Sequence, residues 1–150
     1  MNQMAKTVQV GPITVRYVDT NPSYALLEWV APAGADSPPV HLHHSTDEGF
    51  YVLRGTFGFL VDGRTFDVPA GSHVFVEQEH PHTFWNSGSQ TASCLIVLVP
   101  PAFADYFSDL ANGLAANQAE EAAMEVRKQL SARYDIEVVG PPVRPARVSP

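Results

Sequence analysis

The sequence predicts a mainly β fold, a sandwich or barrel of short strands with a helical C-terminal extension, and three observations predict it. Between residues 13 and 99, apolar runs of strand length alternate with clusters of Gly, Pro, Asn, Asp and Ser. Asp62-Gly63 stands between two of these runs as a two-residue hairpin signal. After Pro100-Pro101 the apolar period changes from that of a strand to that of a helix. Strands first and helices afterwards, with no repeats, describe a closed β layer and a helical addition.

Residues 13–18 and 24–30 read as strands separated by the turn residues 19–23. Segment 32–39 holds three prolines, a glycine, a serine and an aspartate, and it reads as a loop. A strand containing His41 and His43 follows. Residues 49–54 and 56–61 are strands around Gly55, which marks a bend or bulge. The Asp62-Gly63 hairpin leads into 64–68, and Pro69-Ala70-Gly71 turns the chain again. Short strands at 73–76 and 83–85 flank a polar turn, and 94–99 is the last strand. Phe103, Phe107 and Leu110 then recur at helical spacing. Ala119, Ala122, Ala123, Val126, Leu130 and Tyr134 form a longer stripe, predicting a helix over 119–134 that docks on the barrel or on a second subunit. Residues 140–150, rich in proline, read as an extended surface tail. The division is thus a barrel over 1–100 and an extension over 101–150.

A chain of 150 residues can build one substantial core. Its net charge of −7 argues against nucleic acid and anionic membrane surfaces as partners. The single cysteine, Cys94, lies in an apolar run and reads as a small buried hydrophobe. The N-terminal residues lack the apolar core of a signal peptide, and no apolar run has the length of a membrane span, so a cytoplasmic protein is expected.

The chemistry concentrates at His41-Leu42-His43-His44, followed by Glu48. Residues two apart on a strand share a face, so the imidazoles of His41 and His43 point the same way. With Glu48 from a neighbouring strand they suit one divalent transition metal, whether iron, manganese, nickel, copper or zinc. A solvated hairpin end is the alternative, but three of the six histidines fall within four positions and favour the metal. His82, which opens a strand after a tight turn, is the best fourth ligand. His44 points away from His43 and reads as exposed or as a partner of a ligand. His73 reads as a satisfied structural histidine, His80 as solvated, and Asn86 as a turn former.

These residues resemble the cupin family, whose two motifs are G(X)5HXH(X)3–4E(X)6G and G(X)5PXG(X)2H(X)3N. His41, His43, Glu48 and Gly55 fit the first in register, its leading glycine falling on Ala35 with Gly34 one place off. Gly71, His82 and Asn86 fit the second, with Glu77 and Glu79 in place of its proline and glycine. The resemblance implies a double-stranded β-helix (jelly-roll) barrel with a metal held by His41, His43, Glu48 and His82 at its mouth. One or two metal positions would remain for water or substrate. The strands and the helical extension together resemble the quercetin dioxygenase-like group of small cupins.

Phe50, Tyr51, Phe57, Phe59, Phe75, Phe84 and Trp85 could line the pocket, and alternation lets about half of them face inward. Tyr51, Phe59 and Phe84 are assigned to substrate. The aromatic supply favours a small aromatic or enolic substrate over a phosphosugar, since Arg54 and Arg64 are the only arginines nearby in sequence. By resemblance the leading activity is a metal-dependent dioxygenase, with Glu48 as ligand and catalytic proton acceptor. A non-oxidative lyase, cyclase or isomerase using the metal as a Lewis acid is the second possibility, and a non-catalytic binding barrel the third. A homodimer is expected, as for many small cupins.

Overall fold

A computed structural model describes residues 6–116 and 118–145. In chain order the strands are β1 (Thr7–Val10), β2 (Ile13–Thr20), β3 (Ala25–Ala31), β4 (Pro39–Leu42), β5 (Asp47–Arg54) and β6 (Thr56–Val61). They continue as β7 (Arg64–Pro69), β8 (His73–Val76), β9 (His82–Asn86) and β10 (Ala92–Val99). A 3-10 turn (Pro101–Ala104), helices α1 (Asp105–Ala116) and α2 (Glu120–Ser131), and strand β11 (Glu137–Pro142) complete the chain. Six strands form one antiparallel sheet in the order β1-β2-β3-β10-β5-β8, and five form the other in the order β11-β4-β9-β6-β7.

Period-two patterning places the core between the sheets. On β3, Ala25, Leu27, Trp29 and Ala31 are buried while the residues between them are partly exposed. Phe57 and Phe59 of β6 and Cys94, Ile96 and Leu98 of β10 are fully enclosed. Each buried phenylalanine contributes about 1.5–3 kcal/mol by leaving water. Burial also raises the Cys94 thiol above its ordinary range, so it is an apolar filler and not a thiolate.

Turn chemistry sets the register. Asp62 and Gly63 both have positive φ, 50° and 78°, which matches the twist of the β6–β7 hairpin. Gly55, at φ 76°, follows a register shift where Ser93 opposes Arg54 but Cys94 opposes Val52, so the expected irregularity is a bulge at the end of β5. Gly58 lets the Trp85 indole lie against the β6 backbone, where a Cβ would collide with the ring.

The C-terminal segment differs from expectation in two ways. Ala119 is the N-cap of α2, and the helix ends at Ser131, short of Tyr134. Tyr134 nevertheless packs on the core and makes ring contacts with Phe103 and Tyr106. Residues 137–142 also form a strand paired with β4, not a surface tail. Pro141 and Pro142 are tolerated there because β11 is an edge strand, where a missing N–H costs no ladder bond. Residues 146–150 of the expected tail lie outside the described residues. Among the described residues no helix is long and apolar enough to cross a membrane.

The helices dock through Phe103, Phe107 and Leu110, all buried. The Tyr17 hydroxyl of β2 ties this layer to the barrel, donating to the Ala104 carbonyl at 2.6 Å and sharing a hydrogen bond with Ser108 at 2.9 Å. Tyr17→Phe leaves the ring packing in place and removes this link, so it should cost about 1 kcal/mol. Chemical denaturation should show a lower midpoint with an unchanged slope.

Candidate metal centre

His41 lies on β4 and His82 directly opposite it on β9, so cross-strand pairing puts both rings on the inner face of one sheet. Their centroids are 4.5 Å apart. His43 follows two residues after His41, immediately beyond β4. Glu48 comes from β5 of the other sheet. The centre therefore bridges the two sheets.

All four side chains are buried, and one potential ligand atom from each lies within 4.8 Å of the others. A backbone carbonyl orients each imidazole. Nδ1–H of His41 donates to Pro39 at 2.7 Å, that of His43 to Asp135 at 2.6 Å, and that of His82 to His80 at 2.9 Å. A carbonyl only accepts, so Nδ1 carries the proton in all three rings, and each Nε2 presents a lone pair whenever its ring is neutral. The Glu48 Oε2 sits 3.2 Å from His43 Nε2 and 3.0 Å from His82 Nε2.

Lone pairs thus face a carboxylate at contact distance, and only a proton or a metal cation between them makes the contact attractive. Burial foremost, with the neighbouring His82 and His43, pushes the His41 imidazole down to about 3. Burial acts in the same sense on His43, but the Glu48 carboxylate and the Asp135 carbonyl outweigh it and raise the imidazole overall. Burial likewise favours a neutral Glu48, yet its hydrogen bonds to His43 and His82 hold the carboxyl well below the usual range. A divalent ion at the convergence point would replace the shared protons and neutralise the carboxylate. The residues present fit a nitrogen-rich transition-metal site.

Asp135, on the loop after α2, braces the ligand segment. Besides accepting from His43 through its carbonyl, it takes the His44 and Ser45 backbone N–H groups and the Ser45 and Thr46 hydroxyls on its carboxylate. These bonds hold its carboxyl low against the opposing effect of burial. Nothing in the sequence near residue 135 signals this role, because the partners lie some 90 residues upstream.

His44 is exposed and pairs with Glu79 at 3.0 Å and Glu137 at 2.7 Å, so it belongs to the surround of the centre and not to the ligands. His80 is exposed and pairs with Asp62. His73 is exposed, not enclosed in the structure, because its face of β8 is the outer one. Asn86 is buried and organises its turn, donating to Ala31 and Gln90 and accepting from Gly88.

A cavity of about 310 Å³ opens on His41 and Glu48. Phe84 is among its lining residues. Phe59 does not: it lies behind Phe84 in the core, with ring centroids 5.9 Å apart. Tyr51 faces away from the cavity, 46% exposed on the outer face of β5, because its neighbour Phe50 takes the inward position. Trp29 and the helical residues Phe103, Tyr106, Phe107 and Arg127 also line it. The helical spacing of Phe103 and Phe107 was the available sign of docking, but not of a place in the cavity.

Residues 27–98 match the family model described as the cupin domain. This segment carries His41, His43, Glu48 and His82, and the match supports reading it as a cupin domain. A protein of Methanocaldococcus jannaschii described as uncharacterized is 27% identical over 77 residues, which cover 51% of this chain and 61% of that protein. Among solved structures, KdgF from Halomonas sp. superposes with a TM-score of 0.59 at 19% identity, covering 63% of this chain and 86% of that one. An RmlC-like cupin from Shewanella frigidimarina gives 0.58 at 21% identity, covering 64% and 84%. A cupin sugar phosphate isomerase from Silicibacter pomeroyi gives 0.55 at 18% identity, covering 59% of each chain. At these identities the structural likeness concerns the fold.

Two substitutions test the centre. His43→Ala should abolish near-stoichiometric metal loading while far-UV circular dichroism stays native, and full metal retention would refute the ligand set. Asp135→Ala keeps the carbonyl on His43 but removes the carboxylate that ties down residues 44–46, and should weaken metal affinity by about ten-fold, read by competition with a chromophoric chelator.

Proposed function

We propose that this protein is a metal-dependent dioxygenase acting on a small aromatic or enolic substrate. The observation that carries this reading is an aromatic-walled cavity that opens on the His41/Glu48 side of the centre. A volume of about 310 Å³ suits a small organic molecule. Arg54 and Arg64 are exposed, and among the described residues Arg127 is the only arginine or lysine on the cavity wall, which fits a phosphosugar poorly.

A bound redox-capable ion would supply a docking point for a substrate oxygen and a centre for oxygen chemistry. The residues supply the rest. Three imidazoles fixed through Nδ1 keep the centre rigid, Phe84 and Trp29 exclude water, and ionised Glu48 accepts the proton of an enolic hydroxyl. Both atoms of dioxygen enter the organic product and the substrate furnishes the electrons, so no external reductant is consumed.

The protein is proposed to work in the cytoplasm as a homodimer. Tyr51, Leu53 and Phe75 expose apolar surface on the outer face of β5 and β8, an edge that a second copy can cover about a two-fold axis. Light scattering should then give twice the 16.3 kDa chain mass.

The activity is tested by oxygen uptake with a flavonol and an enediol after loading with iron, manganese, nickel or copper. Uptake matching substrate loss, and absent in His43→Ala, is the expected result. Turnover without oxygen would replace dioxygenation by Lewis-acid lyase or isomerase chemistry, and binding without turnover would make the barrel a binding module.

A further inference from the structure

The cavity reaches beyond the metal centre into the helical extension, and its wall changes character there. Phe103 packs on His43 with ring centroids 4.5 Å apart, and Tyr106 stacks on Phe103 at 4.8 Å. Tyr106 is buried, and Arg127 stands on α2. Both residues line the cavity.

Arg127 is set apart by its charge surroundings. In a protein of net charge −7, no acidic side chain among the described residues forms an ion pair with it. Asp36, the other acidic residue on the cavity wall besides Glu48, pairs with Arg144 at 3.7 Å. A guanidinium has five N–H donors in a planar fork, a shape suited to an anion. The surrounding apolar wall lowers the local dielectric and strengthens such a pairing. A bidentate carboxylate fits the fork, and a single cation balances a single negative charge.

We propose that Arg127 and Tyr106 form a carboxylate-binding subsite in this cavity, so that the ligand is a small monocarboxylate with an apolar or aromatic body. The inference rests on the cavity being the substrate site. It places a specificity determinant at residue 127, outside the 27–98 segment that matches the family model. The ring path from His43 through Phe103 to Tyr106 sets the spacing, with the ligand body lying along the aromatic wall.

The test compares 3-phenylpropanoate with its neutral isostere 3-phenylpropanamide by titration calorimetry on the metal-loaded protein. The wild type should bind the carboxylate about ten-fold or more tighter, as a charge-assisted fork contact allows. Arg127→Gln should bring the two affinities within about two-fold of each other, with metal content and thermal midpoint unchanged. Arg127→Lys, which keeps the charge and loses the fork, should retain a reduced preference for the carboxylate. Equal affinities in the wild type, binding of neither probe, or a preference that survives Arg127→Gln would each overturn the subsite. The last result would place the carboxylate on the metal. Oxygen uptake plays no part in the readout, so failure of dioxygenation and failure of the subsite are separately visible.

Discussion

Four lone-pair donors buried within 4.8 Å of one another are the constraint on which the rest of this structure depends. Such a cluster is stable only if each ring is turned correctly and a positive charge sits among the donors. Three backbone carbonyls, from Pro39, His80 and Asp135, do the turning. Two lie two residues before the histidine they orient, so the strand entrance fixes its own ligand. The third comes from the far end of the chain. Because Glu48 belongs to one sheet and the histidines to the other side of the barrel, their attraction also clamps the two sheets at the mouth.

The helical extension is accordingly part of the centre. Asp135 orients His43 and ties down residues 44–46, Phe103 packs on the His43 ring, and β11 pairs with the strand that carries His41. A barrel ending at residue 99 would lack one ring support and would leave the cavity open along its helical wall. The extension thus couples the geometry of the histidine cluster to enclosure of the cavity, and loosening its docking should disturb both.

Much of this was legible in the sequence, for local reasons. Strand alternation placed His41 with His43 and His82 with Phe84, and Asp62-Gly63 announced its hairpin because few residue pairs adopt positive φ in succession. Phe84 lines the cavity while Phe59 and Tyr51 do not, a distinction the sequence does not carry because alternation gives a face but not the depth or the direction of the barrel interior. Strand β11 escaped notice because its prolines argue against pairing unless the strand lies at an edge, and an edge is a tertiary fact. Asp135, Tyr106 and Arg127 were invisible as site residues because their roles depend on how the extension folds back.

The departures from the family motifs show what the fold tolerates. The motifs' ligand-type residues, His41, His43, Glu48 and His82, are all present and cluster together, while those that supply backbone conformation have moved or changed. Gly34, at φ 78°, makes the turn one residue before the motif's leading glycine, and Ala35 lies buried at the motif position. Glu79 occupies the position of the second motif's glycine and adopts φ 72°, a conformation that costs a non-glycine residue about 1 kcal/mol or more. Two contacts offset that cost: its N–H donates to the His43 carbonyl at 2.6 Å, and its carboxylate accepts from His44 at 3.0 Å. The strained residue therefore joins the turn before His82 to the segment carrying His43. A glycine would relax the backbone but could not make the side-chain bond, so the substitution exchanges local ease for a second link between the two histidine-bearing segments.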